Sequence, residues 1–222
     1  MSASHDPAIA ESTRAVLFDL DGTLLDTAPD MAGALNQLRS EEGRGALPFA
    51  MVRSLVSHGS GALVSLGFPG VVGSEFEALR ARLSLETQIY DGIQEALVHL
   101  ESMDILWGIV TNKPGWLTEP LLEDLSLRHR ARVVVSGDTL AERKPHPAPL
   151  LHAAGKLGLA PRHCVYVGDA ERDVLAARAA GMKVYVALFG YIPENERPRD
   201  WPAEGWLESP LDMARWLRSL RA

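Results

Sequence analysis

Short, unbroken apolar runs punctuate the chain at residues 15–18, 105–110, 133–136, 164–167 and 184–188. Each has strand length and none alternates polar with apolar, so all five predict strands buried on both faces. Amphipathic stretches at 92–102, 115–125, 147–157 and 171–180 separate them, and Gly181 closes the last as a helix stop signal. Strand alternating with helix predicts an α/β fold whose parallel, five-stranded sheet is covered on both sides. One interval breaks the rhythm. After the first strand come helical patterns at 28–39, 49–56, 61–66 and 74–85, joined by glycines, with no strand among them. This predicts a helical domain, residues 29–90, inserted into a core made of residues 14–28 and 91–222, with Tyr90-Asp91-Gly92 as its exit hinge. Residues 1–13 carry no pattern and read as a disordered tail. Residues 191–206, rich in Pro, Glu and Arg, read as a long surface loop, and 210–220 as a final amphipathic helix.

Composition narrows the function. The 222 residues are 46% hydrophobic and 23% charged, within the soluble globular range, and a chain this long buries a core without staples. Twenty-two basic against 29 acidic residues give a net charge of −7. That argues against nucleic acid, whose binding needs a basic face, and against an anionic membrane surface. The single cysteine, Cys164, excludes an internal disulfide and fits a reducing compartment; its apolar surroundings read as core. No apolar run is long enough to span a membrane, and no basic-then-apolar leader opens the sequence. The expectation is a cytoplasmic protein, monomeric or homodimeric.

In an open parallel sheet, ligands gather at the carboxyl ends of the strands. Asp19, Asp21 and Gly22 follow the first predicted strand, Thr111-Asn112-Lys113 the second, and Gly168-Asp169 with Asp173 the fourth, while Lys144-Pro145 precedes the helix before the fourth. Each piece alone reads as a turn, a cap or a surface residue. Together they bring carboxylates, lysines and a hydroxyl to one sheet edge. Crowded carboxylates repel one another, a cost that a hard divalent cation such as Mg²⁺ removes. Lysine and hydroxyl donors beside such a cluster suit a phosphoryl group next to a carboxylate nucleophile.

The segment Phe18-Asp19-Leu20-Asp21-Gly22-Thr23 resembles motif I of the haloacid dehalogenase superfamily; Thr111-Asn112-Lys113, Lys144-Pro145 and Gly168-Asp169-x-x-x-Asp173 resemble its motifs II, III and IV, in order. The resemblance runs from residue 14 to nearly the end of the chain. It implies a Rossmann-like core and, for the insertion, a helical C1 cap. It further implies roles. Asp19 is the nucleophile that forms an aspartyl-phosphate. Asp21 is the general acid and then base. Mg²⁺ is held by Asp19, the Asp21 carbonyl, Asp169 and, less directly, Asp173. Thr111, Asn112 and Lys144 bind phosphoryl oxygens. An acid two residues after the nucleophile marks a phosphatase or phosphomutase rather than a dehalogenase.

The stretches 19–30, 107–114, 138–149 and 165–181 are most similar to the proteobacterial phosphoglycolate phosphatase group. The same stretches, with 56–61 and the tail around 190–201, also resemble N-acetylmuramic acid 6-phosphate phosphatases. The core motifs do not separate these, since both substrates present the same phosphate. The expected activity is therefore Mg²⁺-dependent hydrolysis of a small phosphorylated metabolite: first 2-phosphoglycolate, alternatively the amino-sugar phosphate. A phosphomutase or a non-catalytic phosphate binder remains as a further alternative. Specificity falls to the cap, where Arg53, His58 and Ser60 are the candidate substrate-binding residues. Lys113 is open between lining the site and a structural role.

Overall fold

The computed structural model describes residues 13–56, 59–73 and 88–221. The expected tail at 1–13, save Thr13, and the expected helix at 74–85 lie outside the described residues. In order, the elements are β1 (Ala15–Phe18), β2 (Leu25–Asp26), α1 (Ala28–Glu41), α2 (Phe49–Arg53), α3 (Ser60–Gly67), β3 (Gln88–Ile89), α4 (Ile93–Ser102), β4 (Leu106–Val110), α5 (Gly115–Asp124), β5 (Val134–Val135), α6 (Ala148–Leu157), β6 (Cys164–Gly168), α7 (Glu171–Ala179), β7 (Lys183–Ala187), β8 (Gly205–Leu207) and α8 (Pro210–Ser219).

The central sheet runs β5-β4-β1-β6-β7-β8, and every pairing is parallel. It has six strands, not the five expected. The sixth, β8, sits in the segment read as a surface loop and its edge, pairing Tyr185 with Gly205 and Ala187 with Leu207. Three residues give no periodic signal, so only the tertiary partner reveals this strand. The insertion is likewise tied in by a two-residue antiparallel ladder, Leu25 opposite Ile89 and Asp26 opposite Gln88. This corrects the strand-free reading of that interval and lies where chain enters and leaves the cap.

Strand alternation builds two cores, one per sheet face. Val16 and Phe18 of β1 join Trp107, Ile109, Val165 and Val167 beneath α4 and α8. Ala15 and Leu17 join Val110, Tyr166, Val184 and Val186 beneath α6 and α7. Both faces of β1 are fully buried, which is why its sequence is apolar throughout. A third cluster packs the helices of the inserted segment, with Leu35, Leu38, Val52, Leu63, Val64 and Phe68 among its members. Tyr191, a core-domain residue, belongs to this cluster too.

Candidate active site

With β1 central and flanked by β4 and β6, the residues after these three strands face one another. Asp19 leaves β1 held by its N–H to the Val167 carbonyl at 2.8 Å. Thr111 leaves β4 held by its N–H to the Val135 carbonyl at 2.9 Å. A pocket of about 370 Å³ opens above them, lined by Asp19, Asp21, Thr111, Asn112, Lys113 and Arg172, among others. This lies at the lower end of the usual range for ligand sites, roughly 300–1,000 Å³.

Below the pocket, Lys144 is fully enclosed. Its Nζ lies 2.9 Å from Asp19 Oδ1 and 2.7 Å from Asp173 Oδ1, and donates to the Tyr166 hydroxyl at 2.8 Å. The Tyr166 hydroxyl in turn donates to the Val110 carbonyl at 2.7 Å. Burial pushes the Lys144 ammonium down, but the Asp173 and Asp19 carboxylates outweigh burial and hold it above its ordinary range. Lys144 is therefore a fixed positive charge. The Asn112 side chain sets its backbone: Asn112 Nδ2 donates to the Lys144 carbonyl at 2.9 Å, and Lys144 N–H donates to Asn112 Oδ1 at 3.1 Å.

Asp19, Asp169 and Asp173 offer carboxylate oxygens within 4.8 Å of one another, all buried. Burial, then the Asp19 and Asp173 charges, push Asp169 up to about 8. Burial also raises Asp173, with Lys144 pulling the other way. Asp173 is anchored by the Ala170 N–H to its Oδ2 at 3.1 Å. Asp169 Oδ2 accepts from the Tyr191 N–H at 2.7 Å. Its other oxygen, Oδ1, is buried with no partner among the described residues. Asp19 Oδ1 faces the Lys144 ammonium at 2.9 Å. Orphaned buried acceptors are rare, and hard oxygen donors converging this closely fit Mg²⁺. The backbone beside them is crowded: Gly22 has φ +82°, and a Cβ there would lie 2.3 Å from Asp169 Oδ2. Position 22 is glycine because both conformation and space require it.

Asp21 faces the pocket with Lys113, whose Nζ lies 3.1 and 3.3 Å from its two oxygens. The open question about Lys113 is thereby answered: it is buried, lines the pocket and pairs with Asp21. Thr111 Oγ1 accepts from the Lys113 N–H at 3.1 Å, which leaves its own proton to donate.

The cap residues behave differently. His58 and the side chain of Ser60 lie outside the described residues. Arg53 is not among the residues lining this pocket. Its Nη2 donates to the Phe189 and Gly190 carbonyls of the core, both at 2.9 Å, and its guanidinium stacks over the Tyr191 ring. The cap lines the pocket instead with Met31, Val56, Gly59 and Gly61. Sequence reasoning passed over Arg143 and Arg172, which line the pocket, and Tyr166 and Tyr191, which brace its carboxylates. Arg143 and Arg172 each adjoin a motif residue, the one signal that could have marked them.

Residues 16–187 match the family model described as haloacid dehalogenase-like hydrolase. The chain is 47% identical over 205 residues to a phosphoglycolate phosphatase of Xanthomonas campestris pv. campestris (strain 8004), covering 89% of this chain and 93% of that protein. It is 37% identical over 209 residues to an N-acetylmuramic acid 6-phosphate phosphatase of Pseudomonas aeruginosa, covering 90% and 92%. Its fold is similar to the crystal structure of a predicted phosphoglycolate phosphatase from Haemophilus somnus 129PT, with TM-score 0.80, 25% identity, and coverage of 92% and 97%. With the model matching residues 16–187 and relatives this similar along most of the sequence, this chain belongs to the haloacid dehalogenase-like hydrolase family.

Proposed function

We propose that the protein is a Mg²⁺-dependent phosphomonoesterase that works through an aspartyl-phosphate on Asp19, with 2-phosphoglycolate as its substrate. The observation that carries the mechanism is the buried cluster of Asp19, Asp169 and Asp173 beside Lys144, with Asp19 and Asp21 lining the pocket and Asp169 Oδ1 left without a partner among the described residues. Asp19, the Asp21 carbonyl and Asp169 would hold Mg²⁺, with Asp173 behind them; bound there, the ion offsets carboxylate and phosphate charge. Lys144, 2.9 Å from Asp19 Oδ1, orients that carboxylate. Asp19 attacks phosphorus, and the bond from phosphorus to the substrate oxygen breaks. Asp21 gives its proton to that oxygen as it leaves. Asp21, now a carboxylate, takes a proton from water as the water attacks the phosphoryl group. Phosphate departs and Asp19 returns to its starting form. Thr111 and the Asn112 N–H bind the phosphoryl oxygens throughout, and Lys144 supplies compensating positive charge from beneath them.

The 47% identity to phosphoglycolate phosphatases supports 2-phosphoglycolate. One feature favours the second reading, N-acetylmuramic acid 6-phosphate: the pocket also has the apolar wall Met31, Val56, Pro114 and Leu117, which a two-carbon acid leaves uncovered. Phosphate release from both substrates with Mg²⁺ decides. A kcat/KM at least about a hundredfold higher for 2-phosphoglycolate is expected, a gap of roughly 3 kcal/mol in transition-state binding. The reverse ratio would assign the amino-sugar phosphate. Among the described residues no helix is long and apolar enough to cross a membrane. The one cysteine, Cys164, is buried and unpaired, which fits a reducing compartment.

A further inference from the structure

The Tyr191 segment meets three parts of the molecule at once. Its backbone N–H holds Asp169 Oδ2 at 2.7 Å. Its hydroxyl accepts from the N–H groups of Thr27 and Ala28, at 2.6 and 2.9 Å, and donates to Asp26 Oδ1 at 2.9 Å, so it caps the first helix of the insertion at the hinge. Its ring lies under Arg53, 5.1 Å from guanidinium carbon to centroid. Arg53 stands at the end of α2 in the cap, yet donates to the two carbonyls immediately preceding Tyr191 in the chain. Between those carbonyls and Asp169 there is no slack: a Cβ on Gly190 would lie 2.3 Å from Asp169 Cβ and 2.5 Å from Oδ2. Displacing the backbone at 189–191 therefore moves the donor that orients Asp169. Tyr90 reinforces the junction, its ring edge-on to Phe189 at 5.1 Å.

We propose that Arg53 is a positioning residue: by docking the cap on residues 189–191 it fixes the Asp169 carboxylate in its metal-binding orientation, so cap docking and Mg²⁺ binding strengthen each other. The inference rests on the reading of Asp169 as a metal ligand and assigns Arg53 to the cap–core junction instead of the substrate. Coupling of this kind is reciprocal. Whatever factor the Arg53 contact adds to Mg²⁺ affinity, Mg²⁺ must add to cap docking. Outer partners of metal ligands are worth about 10–100-fold in affinity, and Arg53 acts one step further out, so the lower end is expected.

The test titrates the substrate-free full chain with Mg²⁺ alone, by calorimetry. Arg53→Ala is expected to weaken Mg²⁺ binding about tenfold. Arg39→Ala serves as the control, since among the described residues Arg39 bonds carbonyls of the inserted segment, those of Gly45 and Gly67; its affinity should stay within about twofold of wild type. In wild type, saturating Mg²⁺ should slow amide exchange in α2 by a factor similar to the affinity loss, and in Arg53→Ala it should not. An Arg53→Ala affinity equal to wild type overturns the proposal. So does an equal loss in Arg39→Ala, which would mean general loosening of the cap. If Arg53→Ala does not fold, Arg53→Lys, whose single ammonium cannot span both carbonyls as the planar fork does, should show a smaller loss; an unchanged affinity there overturns the proposal equally. A wild-type chain that binds no Mg²⁺ removes the metal reading itself and the proposal with it.

Discussion

Replacing Asp169 by Asn should destroy the metal site and, in the metal-free protein, stabilise the fold. Asp169 is pushed from 3.8 up to about 8 by burial and by Asp19 and Asp173. Its folded pKa lies above its unfolded one, so between those values the folded state holds the extra proton. Stability from this group is therefore full below pH 4 and drains away as pH rises to about 8. At about 1.4 kcal/mol per unit, the loss by pH 8 is on the order of 5 kcal/mol. Asparagine carries no charge, keeps an oxygen for the Tyr191 N–H and offers donors to its carboxylate neighbours. For a chain of this size each kcal/mol moves Tm by roughly 2–4 °C. In EDTA at pH 8, Asp169→Asn should thus melt about 10–20 °C above wild type, and most of the gap should close at pH 5. Saturating Mg²⁺ should close about half of the gap at pH 8, because ligand at 100 times Kd adds about 2.7 kcal/mol to wild type and little to the variant. Differential scanning fluorimetry under the four conditions reads all of this. A variant in EDTA at pH 8 that melts at or below wild type would refute the picture of crowded, uncompensated carboxylates.

Other consequences follow from the same geometry. Lys144→Met leaves Asp19 and Asp173 buried without their shared cation, so chemical denaturation should show a loss of about 3–5 kcal/mol; a loss under about 1 kcal/mol would mean the ion pairs are not what holds this region. EDTA should silence phosphate release and added Mg²⁺ restore it, and full activity in chelator would remove the metal from the account. Lys113→Met removes the ammonium that holds Asp21 at 3.1 Å, so kcat should fall about tenfold or more with the fold retained. An unchanged kcat would mean that Lys113 does not position the general acid.

Most of the core was readable in the sequence because its signals are local. Five strands buried on both faces must be apolar throughout, and Asp19, Thr111 and Asp169 sit directly after three of them, so order along the chain translates into proximity in space. What escaped depends on partners far away in sequence. β8 is a strand only because β7 lies beside it, and the ladder at Leu25–Asp26 is too short for periodicity. Arg53 has the charge for an anion, and sequence alone does not tell a substrate carboxylate from the carbonyls of Phe189 and Gly190. Tyr191 sat in a segment read as a surface loop, yet it is 1% exposed, because its hydroxyl and backbone meet groups more than twenty positions distant.

The central claim is that Asp19 becomes covalently phosphorylated. The most direct test is a single-turnover reaction with phosphate-labelled 2-phosphoglycolate, quenched in acid within milliseconds and followed by peptide mapping. The account predicts transient label on the peptide carrying Asp19, released by hydroxylamine as an acyl phosphate should be. Asp19→Asn should show no label, and its turnover should fall by roughly 10⁴-fold or more with the fold retained. Turnover at the wild-type rate in Asp19→Asn, or catalysis with no labelled protein at any quench time, would contradict it.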